Sequence, residues 1–173
     1  MLISQEMNAA LNRQIGNEFS ASLQYVAVAA HFDVDSLPEL AAHFYRQAEE
    51  ERAHAMRFVK YVVNAGGQVD IPALPTPKCS FNSAAEAVKY ALDGEITVTR
   101  QINDLVSQGV QEKDYITQTF LQWFVTEQLE EVSSTETLLK IIQRAGDNLL
   151  LVEDYLARSK PFQAAQESGA AAT

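Results

Sequence analysis

The chain has 173 residues, 47% of them apolar, which is long enough to bury a core as one domain and too hydrophobic for a disordered polymer. Aspartate and glutamate outnumber lysine and arginine 23 to 13, a formal charge of −10, which argues against nucleic acid as a partner because neutralising phosphates requires basic patches. The single cysteine, Cys79, has no intrachain partner, the first residues carry no basic and apolar leader, and no run reaches the ~18 apolar residues of a membrane span, so a cytoplasmic protein is expected.

Four long helices and one short one are expected. In the first, from about Ser4 to Phe32, Met7, Leu11, Ile15, Phe19, Ser22, Val26 and Ala29 recur every three or four residues, and Gly16 is the one weak position. Ser36-Leu37-Pro38-Glu39 reads as a capping box for the second helix, whose stripe runs through Leu40, Phe44, Ala48, Glu51, Ala55, Phe58 and Val62 to a stop at Gly66-Gly67. Residues 66–82 contain Gly66, Gly67, Pro72, Pro75 and Pro77, which exclude a helix, and only Val69 and Ile71 suggest extended chain. Such a segment reaches roughly 50 Å, where an antiparallel helix pair needs only a handful of residues. It is therefore expected to cross the length of an all-α four-helix bundle and leave helices two and three parallel.

Ser83-Ala84-Ala85-Glu86 reads as a second capping box, opening a third helix through Val88, Leu92, Glu95, Val98, Ile102 and Leu105 to near Gly109. The fourth begins between Glu112 and Tyr115 and runs through Phe120, Phe124, Glu127, Glu131, Leu138 and Ile141 to Gly146. A short segment from Asp147 to about Ala157 holds Leu149, Leu150, Leu151, Val152, Tyr155 and Leu156, more apolar residues than one face of three turns needs. It packs either across the end of its own bundle or between subunits. The domain is expected to span 1–158, and 159–173, rich in alanine, glutamine and glycine, to be a frayed tail.

Acidic residues that interrupt an apolar stripe are the informative ones, because a bundle core tolerates charge only when it is paired or bound. Glu18, Glu51, Glu95 and Glu131 each fall on the stripe of a different helix. Glu51-Arg52-Ala53-His54 adds an imidazole three residues from a carboxylate, about 60° around the helix, so both reach one ion. Gln128 and Glu131 stand at the same interval. Oxygen ligands with a single nitrogen and no thiolate suit Fe(II) or Mn(II), and two ions sharing Glu51 would sit close enough for dioxygen to take electrons from both. Without metal such a cluster repels itself and takes up protons.

A second acidic set, Glu50, Glu127 and Glu130, adjoins the first and is open to two readings: a further metal site or path inward, and a solvated polar face. Tyr25, seven residues after Glu18, and Trp123 are placed either to serve the centre through a hydrogen bond or an electron, or only to pack the core. His43 is expected to face solvent.

These residues resemble the non-haem bacterial ferritins over nearly the whole chain, from about Asn8 to Leu156. Asn17-Glu18-Phe19-Ser20-Ala21-Ser22-Leu23-Gln24-Tyr25 is similar to the first-helix signature, Glu49-Glu50-Glu51-Arg52-Ala53-His54-Ala55 to the second, and Trp123-Phe124-Val125-Thr126-Glu127-Gln128-Leu129-Glu130-Glu131 to the fourth. The resemblance implies a ferritin-like bundle with a short fifth C-terminal helix and a di-iron centre. Glu18 and His54 would bind one iron, Glu95 and Glu131 the other, and Glu51 would bridge, with Tyr25 and Gln128 beside them. It also implies a third iron site at Glu50, Glu127, Glu130 and Glu131. The haem-containing relatives need methionine after the bridging glutamate and a second ExxH histidine; here those places are Arg52 and Glu131, so no haem is expected.

The implied function is ferroxidase activity and iron storage. Fe(II) would enter a homo-oligomeric shell of 24 subunits through acidic pores, with Glu112 and Asp114 as pore candidates, be oxidised by O2 or H2O2, and form a ferric oxyhydroxide mineral. The fifth helix would gather at the four-fold axes. Two alternatives carry different expectations: a di-iron oxidase acting on another substrate, which often has two ExxH elements, and a 12-subunit DNA-protecting mini-ferritin, whose ligands lie between subunits.

Overall fold

The computed structural model describes residues 2–159; of the expected tail at 159–173, Ser159 still belongs to the last helix and 160–173 lie outside the described residues. Four long helices, α1 (Gln5–Val34), α2 (Pro38–Asn64), α3 (Ala84–Glu112) and α4 (Tyr115–Ala145), are followed by a short α5 over 150–159. α1 packs on α2, α3 on α4, and α1 against α3. Rings close the remaining side, where Phe58 of α2 stacks on Phe124 of α4 at 4.2 Å between centroids. Among the described residues there is no strand, Val69 and Ile71 included, and no helix is long and apolar enough to cross a membrane.

The crossover follows α1 rung by rung. Asn8 and Asn12 donate to the Gln68 carbonyl, the Asn12 side chain also accepts from Asp70 N–H, Gly16 touches Pro72, and Gln24 exchanges two bonds of 2.8 Å with the Lys78 backbone. Phe81 then reaches His31, ring centroids 5.4 Å apart. Because α2 returns antiparallel to α1 and the crossover runs back with α1, α3 starts where α2 started, and the two are parallel as expected.

Helix starts follow side-chain chemistry, with two corrections. Ser4, Ser83 and Asp114 cap α1, α3 and α4, each accepting from the N–H three residues on. Glu86, however, closes its half of the box on Asn82 N–H rather than on Ser83. Ser36 is not the cap of α2. It takes φ 58° in the turn, Leu37 occupies the cap position without a side-chain bond, and Glu153 of α5 accepts from Glu39 N–H and Leu40 N–H at 2.8 and 2.9 Å. A carboxylate satisfies those donors better than a hydroxyl because the helix N-terminus is partly positive.

α5 packs part of its apolar surface on its own bundle and leaves part exposed. Val152 is fully buried with Leu149 and Leu156 against the bundle end, while Leu150, Leu151 and Tyr155 are 71%, 59% and 45% exposed. His43 is half-buried rather than simply solvent-facing: its ring packs edge-on against Phe44, its Nδ1 is hidden without a partner, and burial pushes the imidazole down to about 4.

The apolar core is in two parts. Met7, Leu11, Ile15, Phe58, Val62, Ile102, Leu121 and Phe124 fill one, and Val28, Phe32, Leu40, Phe44, Val88, Leu138 and Ile142 fill the other. On every long helix the interruption between the two is a glutamate: Glu18, Glu51, Glu95 and Glu131, each 5% exposed or less.

Candidate metal centre

That waist is the candidate centre. Glu18 of α1 and Glu51 and His54 of α2 each offer a ligand atom, and these atoms lie within 4.8 Å of one another. His54 Nδ1 is 3.3 Å from Glu51 Oε2, as the three-residue spacing on one helix face dictates. Trp123 and Phe124 flank the imidazole edge-on at 5.3 and 5.9 Å, so Trp123 does touch a site residue, and the Arg57 guanidinium lies 3.9 Å over the indole.

Glu18 Oε1 accepts from Gln14 Nε2 at 2.9 Å, but its Oε2 is buried with no hydrogen-bond donor. An ionised oxygen in that state is strongly disfavoured. Glu51 lies beside it, so the two carboxylates can coexist only by sharing a proton or a cation. Burial, followed by the Glu51 charge, pushes the Glu18 carboxyl well above its ordinary range. Burial and then the charges of Glu95, Glu131 and Glu50 do the same to Glu51.

Glu95 is outside that trio but in electrostatic reach of Glu51 and His54. Its Oε1 accepts from the Tyr25 hydroxyl across α1 and α3, and Gln128 Nε2 donates to its Oε2, its carbonyl and Thr99 Oγ1, each at 3.2 Å. Burial raises its carboxyl, and the two hydrogen bonds oppose that rise. The Tyr25 hydroxyl is held well above its usual range by burial and then by Glu95, Glu51 and Glu131. Glu131 is pushed up to about 9 by burial and then by Glu95, Glu50, Glu127 and Glu130.

The second acidic set is therefore in electrostatic reach of the first but more open. Glu127 is half-buried, its carboxyl raised first by burial, Glu130 is exposed, and Glu50 accepts from Gln47. Glu112 and Asp114 are engaged locally: Glu112 accepts from Ser4 and Gln108, and Asp114 caps α4. Sequence reasoning missed Gln14 and Thr99. Gln14, 2% exposed, was findable from its place one turn before Glu18 on the same helix face. Thr99 gave no signal, because its role depends on Gln128 of another helix.

A profile of the ferritin-like domain matches residues 8–145. The chain belongs to the ferritin family. It is 44% identical over 156 residues to ferritin BfrB of Mycolicibacterium smegmatis, covering 90% of this chain and 86% of that one. It is 37% identical over 147 residues to the bacterial non-heme ferritin of Staphylococcus aureus, covering 85% and 89%. Its fold superposes on an open-pore ferritin from the hyperthermophilic archaeon Archaeoglobus fulgidus with a TM-score of 0.87 and 34% identity, covering 90% of this chain and 96% of that one. Names among such relatives include both bacterioferritin and non-heme ferritin. A buried Glu-Glu-His cluster in a ferritin fold supports a metal site with an iron-oxidising or iron-storing role.

Proposed function

We propose that this ferritin-family chain is a cytoplasmic ferroxidase and iron-storage subunit of the non-haem branch, and that residues 1–158 form its di-iron domain. The observation that carries the proposal is Glu18: its Oε2 is buried without a donor, and the residue offers a ligand atom within 4.8 Å of one from Glu51 and one from His54. An Fe(II) ion held there by two oxygens and one nitrogen relieves the repulsion that otherwise forces protonation. Glu51, whose charge couples to Glu18 on one side and to Glu95 and Glu131 on the other, bridges to a second Fe(II) held by those two. Tyr25 and Gln128 orient Glu95. Glu50, Glu127, Glu130 and Glu131 form a third, more open iron site through which oxidised iron leaves.

Fe(II) is the substrate. Two Fe(II) give one electron each; O2 with two protons becomes H2O2, or H2O2 with two protons becomes two waters. The Fe(III) then hydrolyses to ferric oxyhydroxide inside a shell of 24 copies. The exposed Leu150, Leu151 and Tyr155 of α5 are the surface those copies would cover. Ligands contributed by four helices of one chain support this reading over a mini-ferritin with sites between subunits. Arg52, exposed, and Glu131 occupy the positions where haem-binding relatives need methionine and histidine, so purified protein should show no Soret band.

The test is aerobic Fe(II) addition to metal-stripped protein, with absorbance and particle size followed together. Rapid oxidation of two or three irons per subunit, then retention of far more in a soluble 24-subunit particle, is expected. Saturation at two irons with no soluble mineral contradicts storage and favours a di-iron oxidase acting on another substrate.

A further inference from the structure

A groove of about 430 Å³ opens between α1 and α3 beneath crossover residues 72–77. It is lined at one extreme by exposed crossover residues such as Pro72 and Pro75, and at the other by Tyr25 and Glu95, which are 3% and 1% exposed. Tyr25 and Glu95 thus border the groove, and Glu50, Glu127 and Glu130 do not.

Two glycines line it and behave oppositely. The space above Gly16 is filled by Pro72, whereas a Cβ on Gly94 would meet nothing within 4 Å. With Ala21 and Ala91 also small, the α1–α3 contact is kept open beside Glu95. Among the described residues, the only charged ones lining the groove are Asp93, paired with Lys89, and Glu95 itself. The amides of Asn17 and Gln101 supply neutral polarity among apolar walls.

We propose that this groove is the entry path for the small neutral oxidant, dioxygen or hydrogen peroxide, to the Glu95 side of the centre. The inference rests on the ferroxidase reading above. A cation gains from the acidic α2–α4 side, where Glu50, Glu127, Glu130 and Glu131 converge, and a neutral oxidant does not. A groove with weakly polar walls admits a neutral molecule without the desolvation penalty that excludes ions. At its inner end the oxidant takes one electron from each of two Fe(II) and two protons from solvent, leaving as H2O2 or as two waters.

The test is Gly94→Leu in the full chain, which puts a bulky side chain into the groove from a helical position where an added Cβ meets nothing within 4 Å. Stopped-flow oxidation of two Fe(II) per subunit is read at varied O2 and, separately, at varied H2O2. The expected result is a rate at limiting oxidant lowered roughly fivefold or more, with anaerobic Co(II) binding and its visible spectrum unchanged. A fall with one oxidant alone assigns the path to that oxidant. Parent rates with both oxidants in the filled variant overturn the proposal, as does a fall that tracks lost Co(II) binding. Unmodified crystals pressurised with xenon should show xenon in the groove, and its absence there also counts against the path. A parent protein that binds Co(II) but oxidises no Fe(II) refutes the ferroxidase reading itself; a parent that oxidises normally beside an unaffected variant refutes only the groove.

Discussion

Pro72 occupies the space that a side chain at Gly16 would need: a Cβ built on the glycine lies 2.5 Å from the proline Cγ and 3.0 Å from its Cδ. Helix propensity alone predicts that Gly16→Ala stabilises α1 by roughly 1 kcal/mol. The contact predicts the opposite, a net loss of about 1–3 kcal/mol from overpacking the crossover. Urea unfolding of the two proteins decides between them, and a raised midpoint in the alanine variant refutes the packing account.

Glu153 links the two ends of the chain's logic, holding α5 by capping α2. Glu153→Ala should lower stability by about 1–2 kcal/mol, the usual scale for a lost cap at a helix N-terminus. Glu153→Gln should fall between, since it keeps an acceptor and loses the charge. Thermal melts of the three proteins test the order, and particle sizing asks whether a released α5 also weakens assembly. Equal melting temperatures contradict the capping role.

Metal binding should release protons at neutral pH. Glu131 is held at about 9 in the folded protein, and Glu18 and Glu51 are raised well above the ordinary carboxylate range, so the metal-free fold retains protons that the unfolded chain has lost. A raised carboxyl contributes stability that is fully present below the unfolded value near 4.5 and is lost as pH rises through the folded one. The metal-free protein should therefore weaken between pH 7 and pH about 9 while Co(II)-loaded protein does not. Calorimetric titration of Co(II) in buffers of different ionisation enthalpy counts the protons released, and a count of zero contradicts the shared-proton picture of Glu18 and Glu51.

Tyr25→Phe removes one of the two donors to Glu95 and leaves Gln128 in place. The fold should persist, because the ring still packs against Phe44 at 5.7 Å. Repeated turnover should slow severalfold, since Glu95 loses its anchor on α1 and the centre loses its nearest phenol. Rates equal to the parent at first and later turnovers sink any role for the hydroxyl.

Most of the bundle was legible because apolar residues at helical spacing leave few alternatives, and the crossover because prolines forbid helix over 66–82. Glu18, Glu51, Glu95 and Glu131 were legible for the same reason: each breaks a stripe that is otherwise apolar. What stayed hidden depends on contacts between distant segments. Gly16 reads as a defect in α1 until Pro72 is seen above it. Ser36 reads as a cap until Glu153, over a hundred residues later, takes the same donors. His43 reads as exposed because its polar type says nothing of the rings around it, and the groove at Gly94 is a property of two helices and a loop together.

The measurement that tests the di-iron centre most directly is anomalous diffraction at the iron edge from crystals soaked anaerobically in Fe(II). The account predicts two strong peaks per subunit within the waist, roughly 3.5–4 Å apart as in bimetallic sites generally, one against Glu18, Glu51 and His54 and the other against Glu51, Glu95 and Glu131. A single peak, or iron bound only at the half-buried Glu127 and the exposed Glu130, would contradict it.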